Sequence, residues 1–221
     1  MSPTSHAGTL RREDIIFKYV EGKDVLDVGG VDHYAFRQKA AEGTWLHAHI
    51  AKRARRCLGI DILECRVKEA LEHGFRFETA NCEQLPYEDE FDVIVAGELV
   101  EHLYNMGLFL DGAWRALRPG GHLILTTPNN FALSRFLYAE IRGIEACHPE
   151  HTCYYSPQTL SYIVSRHGFS VVESHVLARQ ARRWFTERLY ETICRLRPIL
   201  GEVLVFVFER TARQDKYGEM W

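Results

Sequence analysis

The sequence lacks the features of a secreted, membrane-spanning or disulfide-stapled protein. No apolar run approaches the ~20 residues that cross a bilayer, and the polar start MSPTSHAGTL contains no apolar signal segment. None of the six cysteines forms a Cys-x-x-Cys pair, a spacing typical of zinc knuckles and redox sites. We therefore expect a cytoplasmic protein with reduced thiols.

The charge balance is nearly neutral, and the chain contains no repeat and no low-complexity tract. A formal net charge of −3 does not demand a polyanionic partner, although a local basic patch can still bind nucleic acid. With 221 residues, of which 46% are hydrophobic, the chain has the size of one domain and can bury a full core.

Short apolar runs alternate with amphipathic segments along most of the chain. The periodicity predicts helices over 11–21, 45–55, 63–73, 103–118, 157–167 and 183–200. It predicts strands over 23–29, 57–61, 75–79, 91–96, 122–127, 169–177 and 202–209, and loop-rich chain over 128–156. This alternation indicates an α/β fold with a seven-stranded, mostly parallel sheet flanked by helices, in which the last two strands are neighbours.

Three polar motifs follow the first three predicted strands. They are Asp27-Val28-Gly29-Gly30, Asp61, and Asn81 with its neighbours. In a doubly wound sheet, ligands bind at the carboxyl ends of the strands. A glycine there lets a ligand approach the backbone closely, and a carboxylate can accept hydrogen bonds from both hydroxyls of a ribose. The GxGxxG fingerprint of nicotinamide cofactors is absent.

Six segments resemble, in order, motifs of class I S-adenosylmethionine (SAM)-dependent methyltransferases, in particular the ubiquinone-pathway O-methyltransferases of the methyltransferase type 11/23 group. They read VLDVGG, GIDI, NCEQLPY, FDVIVAGELVEHL, LRPGGHLILTTPN and YYSPQTLSYIVSRHGFSVVE. The resemblance implies a Rossmann-like sheet whose last strand is antiparallel, in a single methyltransferase domain over 1–221. It also implies a substrate-side insertion at 178–201, whereas the ends 1–10 and 211–221 are predicted to be flexible from their own residues.

By this resemblance the cofactor is SAM. Asp27 and Gly29 would hold its methionine part, Asp61 its ribose, and Asn81 with the Cys82 backbone its adenine. The predicted cofactor set is completed by Gly30, Ile62, Glu83 and Ala96.

The first motif departs from the family pattern. The family loop is DxGxGxG, whereas Val31 and His33 stand here at the second and third glycine positions. The interval from Asp27 to Asp61 is also longer than in that family. The extra segment carries Trp45, His47 and His49, and we expect its two histidines at the surface or in a substrate gorge.

Acidic and histidine residues follow the fourth strand, in the sequence Glu98-Leu99-Val100-Glu101-His102. On a helical turn Glu98, Glu101 and His102 would share one face, and paired carboxylates repel each other unless a cation joins them. The pattern, with His151, is similar to the ExxEH…H metal motif of small-RNA 3′-terminal 2′-O-methyltransferases. That similarity implies one divalent cation (Mg, Mn, Fe, Co or Zn) held by Glu98, Glu101, His102 and His151.

Two other interpretations of this region stay open. The turn could be purely structural, so that His151 or His148 would act as the general base. Alternatively, the cysteines and histidines of residues 147–153 could form a structural zinc site. The predicted catalytic residues are His151, His102 and Glu98.

The predicted reaction is O-methylation of a hydroxyl that has a neighbouring oxygen, on a sugar, glycan or other small molecule. A 3′-terminal RNA ribose, a catechol- or quinone-type acceptor, and a non-catalytic SAM-binding scaffold remain alternatives. The Arg-rich amphipathic segment 183–200 is either a helix packed on the domain or a peripheral contact for a membrane or a lipid-carrier phosphate.

Overall fold

The computed structural model describes residues 10–31, 36–178 and 185–212. Most of the ends predicted to be flexible, and position 33 of the first loop, lie outside this part of the chain. The strands are β1 Asp24–Val28, β2 Arg56–Asp61, β3 Phe77–Thr79, β4 Phe91–Gly97, β5 Leu117–Pro128, β6 Phe169–Leu177 and β7 Val203–Arg210. The helices are α1 Arg12–Val20, α2 Phe36–Glu42, α3 Leu46–Ala51, α4 Glu64–Glu72, α5 Met106–Ala116, α6 Leu133–Arg142, α7 Pro157–Arg166 and α8 Phe185–Leu196.

The strands form one seven-stranded sheet in the order β3-β2-β1-β4-β5-β7-β6. Strands β1 to β5 pair in parallel, whereas β7 runs antiparallel to both β5 and β6. This confirms the predicted strand number, the mostly parallel sheet, the antiparallel last strand and the adjacency of the last two strands. The register places Val28 beside Ile60 on one side and Ala96 on the other. The carboxyl ends of β1, β2 and β4 therefore lie side by side at one edge.

Helices cover both faces of the central strands. One face packs Leu26 and Ile94 against Phe109 of α5, and the other packs Val25 against Ile16 of α1 and Ile50 of α3. Burial from both sides explains why β4 reads as a nearly continuous apolar run and why Asp24 and Asp27 of β1 are buried. The predicted start of α7 is confirmed, with the Ser156 hydroxyl accepting a 3.1 Å hydrogen bond from the Thr159 amide.

Two predicted segments differ from the structure. The stretch 128–156 contains helix α6, which ends at Gly143 in a left-handed cap. The sequence carried a signal for this helix, because apolar residues recur at helical spacing at Leu133, Phe136, Leu137 and Ile141, although none of the α6 side chains is buried. The region predicted as one helix over 45–55 contains only the short α3, and the additional helix α2 precedes it.

A helix that spans a bilayer needs about 20 predominantly apolar residues. Within residues 10–31, 36–178 and 185–212, no helix is long and apolar enough to span a bilayer.

Candidate active site

The loop after β1 is shaped by its two glycines. Gly29 has φ +70°, a backbone conformation that side-chain-bearing residues rarely adopt, and its amide donates to the Ile60 carbonyl at 2.8 Å. A Cβ on Gly30 would lie 2.7 Å from Asp27 Oδ2, which is too close. Gly29 is therefore required by the conformation of the turn, and Gly30 by the close approach of the buried Asp27 carboxylate.

Two side chains from the segment between α2 and β2 make hydrogen bonds to this loop. His47 Nδ1 lies 2.8 Å from Asp27 Oδ2, and Trp45 Nε1 donates to the Gly30 carbonyl at 2.8 Å. The His47 ring is fully buried and contacts the rings of Trp45, Phe75 and Phe77. The expectation that His47 lies at the surface or in a gorge is wrong, because α3 turns this residue toward the sheet.

Asp61 occupies the end of β2 beside the same loop. Its carboxylate accepts hydrogen bonds from the backbone amides of Leu63 at 3.0 Å and Val31 at 3.3 Å. Burial raises the pKa of Asp61, although those amides act in the opposite direction. Each oxygen retains lone pairs for further donors, such as ribose hydroxyls. The neighbouring Ile62 is 68% exposed and offers an apolar surface at this edge.

The residues predicted to face the adenine form the turn after β3. The Asn81 side-chain oxygen accepts a hydrogen bond from the Glu83 amide at 2.9 Å. The Glu83 carboxylate in turn accepts hydrogen bonds from the backbone amide and the side-chain amide of Asn105. Burial raises the pKa of the Cys82 thiol to about 12, so this sulfur is unreactive at neutral pH. Ala96, the second-last residue of β4, is fully buried.

Glu98 directly follows β4, at the same edge of the sheet as the loop after β1. It has φ +52°, an uncommon backbone state for a residue with a side chain and one that clusters at functional sites. Its carboxylate accepts from the Thr126 hydroxyl at 3.1 Å and lies 3.7 Å from the Arg12 guanidinium. The turn that follows, Val100–His102, is 3-10 rather than α-helical and leaves Glu98 outside it.

Glu101 is a buried carboxyl whose hydrogen bonding is incomplete. One oxygen accepts from the Thr127 hydroxyl at 2.8 Å, whereas Oε1 is buried without a hydrogen-bond partner. Burial, and then the charge of Glu98, raise the pKa of Glu101 to about 8. A buried polar atom without a partner is costly, which is typical of a site that awaits a ligand or an ion.

The loop before Tyr155 is tied to this turn. The Thr152 amide donates to the Glu101 carbonyl at 2.8 Å, and its hydroxyl donates to the Leu103 carbonyl at 2.8 Å. Arg135 of α6 donates to the Ala146 carbonyl at 2.6 Å and to the Tyr154 hydroxyl at 2.8 Å. These bonds bring the histidines of the loop over the Val100–His102 turn.

Three histidines meet there. One possible ligand atom each from His102, His148 and His151 lie within 4.8 Å of one another. Burial, and then the neighbouring imidazoles, lower the pKa of His151 to about 4, so its ring is neutral at neutral pH, as metal ligation and proton acceptance both require. His151 Nδ1 is buried and has no partner.

The predicted metal ligands are thus only partly assembled. His102 and His151 are together, but Glu98 and Glu101 do not belong to this close group among the residues that the structure describes. His148 joins the group instead, although the sequence predicted only a general base or a structural zinc ligand at this position. The spacing of three between His148 and His151 was the available signal, but nothing in the sequence showed that their loop folds back onto His102.

The comparisons with known proteins agree with this architecture. A protein-family model described as a methyltransferase domain matches residues 11–174. The chain belongs to this methyltransferase family. It is a SAM-dependent methyltransferase with the class I fold.

Individual relatives are distant. A probable SAM-dependent methyltransferase of Mycolicibacterium smegmatis is 26% identical over 85% of this chain and 78% of its own length. The human mitochondrial ubiquinone biosynthesis O-methyltransferase is 28% identical over 68% of this chain, which spans only 42% of that relative. The magnesium protoporphyrin IX methyltransferase of Synechocystis, solved with bound S-adenosylhomocysteine, has a TM-score of 0.63 at 16% identity, covering 90% of this chain and 82% of its own. At that identity the likeness concerns the fold alone.

Proposed function

We propose that this protein transfers the SAM methyl group to a hydroxyl oxygen that has a neighbouring oxygen, on a sugar, glycan or other small molecule. The observation that carries the proposal is the cluster of His102, His148 and His151, in which His102 directly follows the buried Glu101 with its unpartnered Oε1. The cofactor would lie along the adjoining edge, with its methionine part at Asp27 to Gly30 and its ribose at Asp61. A cytoplasmic location is proposed with it.

Methyl transfer forms one bond and breaks one. The acceptor oxygen bonds to the methyl carbon while the carbon–sulfur bond breaks, and its electrons neutralise the sulfonium. The acceptor must also lose its hydroxyl proton, and an aliphatic hydroxyl does so poorly without help. A base beside the acceptor oxygen would take up this proton, and a cation would make the hydroxyl easier to deprotonate.

The side chains present fit a divalent cation. His102, His148 and His151 would hold it through imidazole nitrogens, and the buried Glu101 Oε1 faces no competing donor. Imidazole and carboxylate donors suit Zn, Mn, Fe or Co at least as well as Mg. When bound, such an ion would lower the pKa of an acceptor hydroxyl. The alternative ligand set contains Glu98 and Glu101 together with His102 and His151. The metal content of single-residue variants distinguishes the two ligand sets.

A catechol- or quinone-type acceptor is the second candidate. It is favoured by the identity with the ubiquinone biosynthesis O-methyltransferase, although the chain spans less than half of that relative. A catechol and a vicinal sugar diol present the same pair of neighbouring oxygens, so the site chemistry supports both.

Matched acceptors test the proposal. Labelled SAM would be supplied with 3,4-dihydroxybenzoate or 4-hydroxybenzoate, with a methyl glycoside or its deoxy analogue, and with RNA before or after periodate treatment. We expect methylation of a diol or catechol only, its loss in EDTA and its recovery with Mn²⁺. Equal methylation of the monohydroxy partner, or full activity after exhaustive EDTA, would overturn it. Methylation of RNA alone would replace the small-molecule acceptor by a terminal ribose.

Metal content separates the two ligand sets. His148→Ala should lose bound metal in elemental analysis and Glu98→Ala should keep it, if the three histidines are the ligands. The reverse result would support the set containing both glutamates. His73→Ala, which removes an exposed histidine elsewhere, is the matched control.

A further inference from the structure

A buried imidazole–carboxylate pair lies under the loop proposed to receive the methionine part of SAM. His47 Nδ1 and Asp27 Oδ2 are 2.8 Å apart, and both side chains are at least 95% buried. An ionised carboxylate can only accept, so His47 donates from Nδ1. Asp27 Oδ2 is also the atom that would lie against any Cβ on Gly30. The orientation of the Asp27 carboxylate therefore sets how closely the Gly30 backbone can pack against it.

Packing alone does not explain a histidine at this position. The ring lies among Trp45, Phe75 and Phe77, and its Nε2 is buried without a hydrogen-bond partner. An apolar side chain would fill the same space without leaving that nitrogen unpaired. The benefit that offsets this cost is the bond to Asp27, which satisfies and orients a carboxylate that would otherwise be buried beside aromatic rings.

Trp45 provides a second, independent tie to the same loop. Its indole N–H donates to the Gly30 carbonyl at 2.8 Å, while its ring stacks on Phe77 at a centroid distance of 5.9 Å. A third tie comes from the other side, where Asp61 accepts from the Val31 amide. Both His47 and Trp45 come from the segment that makes the interval between Asp27 and Asp61 long. They brace a loop in which Val31 stands at a family glycine position.

We propose that His47 and Trp45 are positioning residues for the cofactor, fixing the Asp27–Val31 loop in the shape that receives the methionine part of SAM. This inference rests on the proposed function, in which that loop binds SAM. Ordering the loop before the cofactor arrives lowers the entropic cost of binding. The ties act on the methionine end, whereas the adenine and ribose ends depend on Asn81 and Asp61.

Ligands with and without the amino-acid part separate positioning from general stability. Calorimetry on the full chain would measure the affinities of S-adenosylhomocysteine and of 5′-methylthioadenosine, which lacks the methionine carboxylate and amine. For His47→Leu we expect S-adenosylhomocysteine to bind about tenfold more weakly, the loss of one hydrogen bond to a charged group. The affinity for methylthioadenosine should stay within about twofold. His47→Asn, whose amide can replace the Nδ1 donor, should restore most of the affinity.

The control is His49→Leu on the same helix, since the His49 ring bonds to the Gly43 carbonyl and not to Asp27. It should bind both ligands like the wild type. Trp45→Phe keeps an aromatic ring but removes the N–H donor, and it should weaken S-adenosylhomocysteine selectively even if His47→Leu fails to fold. Unchanged affinity in Trp45→Phe and His47→Leu, or an equal loss for both ligands, would overturn the proposal. Wild-type protein that binds neither ligand would instead overturn the proposed function on which it rests.

Discussion

The two halves of the sheet edge differ in how completely their carboxylates are hydrogen-bonded. At the half proposed to bind the cofactor, Asp27 is held by His47, and Asp61 by the amides of Val31 and Leu63. At the half proposed to bind the acceptor, Glu101 Oε1 is buried without a partner. The imidazoles of the two halves do not differ in this way, since His47 Nε2 and His151 Nδ1 are both buried without a partner.

The difference indicates two kinds of site. Hydrogen-bonded carboxylates give the half proposed to bind the cofactor a shape that is set before binding, which would reduce the cost of ordering it. Unpaired buried atoms store an unfavourable energy that a ligand, an ion or an acceptor can relieve. Substitutions at the cofactor half should therefore affect folding and cofactor affinity, whereas those at the acceptor half should affect the reaction and spare stability.

The sharpest test of this contrast is Glu101→Gln. The amide keeps the shape and can still accept from the Thr127 hydroxyl, but it removes a buried carboxyl that lies beside Glu98. We expect the rate of methyl transfer to fall about a hundredfold or more while the melting temperature stays equal or rises. Initial rates and thermal unfolding measure the two effects. Exposed Glu145→Gln is the control, and a large drop in stability would contradict the contrast.

Asp61→Asn tests the cofactor half. Loss of the charge that is proposed to accept the ribose hydroxyls should weaken S-adenosylhomocysteine by about tenfold to a hundredfold. Calorimetry checks this, with Glu64→Gln at the exposed start of α4 as the control. Unchanged affinity would remove Asp61 from the proposed ribose site.

Gly30→Ala should cost stability, whereas Gly97→Ala should cost little. A Cβ on Gly30 would lie 2.7 Å from Asp27 Oδ2, but one on Gly97 would make ordinary contacts at 3.6 Å or more. We expect the free energy of unfolding to fall by about 1–3 kcal/mol for Gly30→Ala. Denaturant titration compares the two variants, and equal losses would show that the cofactor loop is not tightly packed.

Glu173 on β6 provides a reference away from both halves of the edge. Burial opposes its ionisation, but hydrogen bonds from Lys18, His175 and Tyr19 outweigh burial and lower its pKa to about 2. Because the folded pKa lies below the ordinary value of 4.5, the stabilisation is present above about pH 4.5 and is lost as pH falls toward 2.

Glu173→Gln should therefore lower the free energy of unfolding by about 1 kcal/mol at pH 7, since the cluster is partly exposed. The difference from the wild type should shrink between pH 4.5 and 2. A difference that does not vary with pH would show that packing, and not the charge, is what Glu173 contributes.

Local patterns in the sequence predicted most of the elements. Continuous apolar runs predicted the strands because the central strands are buried on both faces, and Ser156-Pro157 predicted the start of α7 through the chemistry of its cap. Helix α6 was missed although its apolar residues recur at helical spacing, and the structure buries none of its side chains. Asp27, Asp61 and Glu101 were predicted as site residues because each lies at or near the carboxyl end of a strand, and parallel strands bring these ends to one edge. Their roles stay predictions.

What the sequence by itself determined was the order of most elements and the methyltransferase family, and it predicted the edge at which the chemistry would lie. Only the tertiary structure decided that His47 lies beneath Asp27 and that His148 joins His102 and His151. Both facts depend on segments that return to the sheet from a distance along the chain. Their positions are fixed by long-range packing and hydrogen bonds, such as Thr152 to the Glu101 carbonyl, and no local periodicity encodes such contacts.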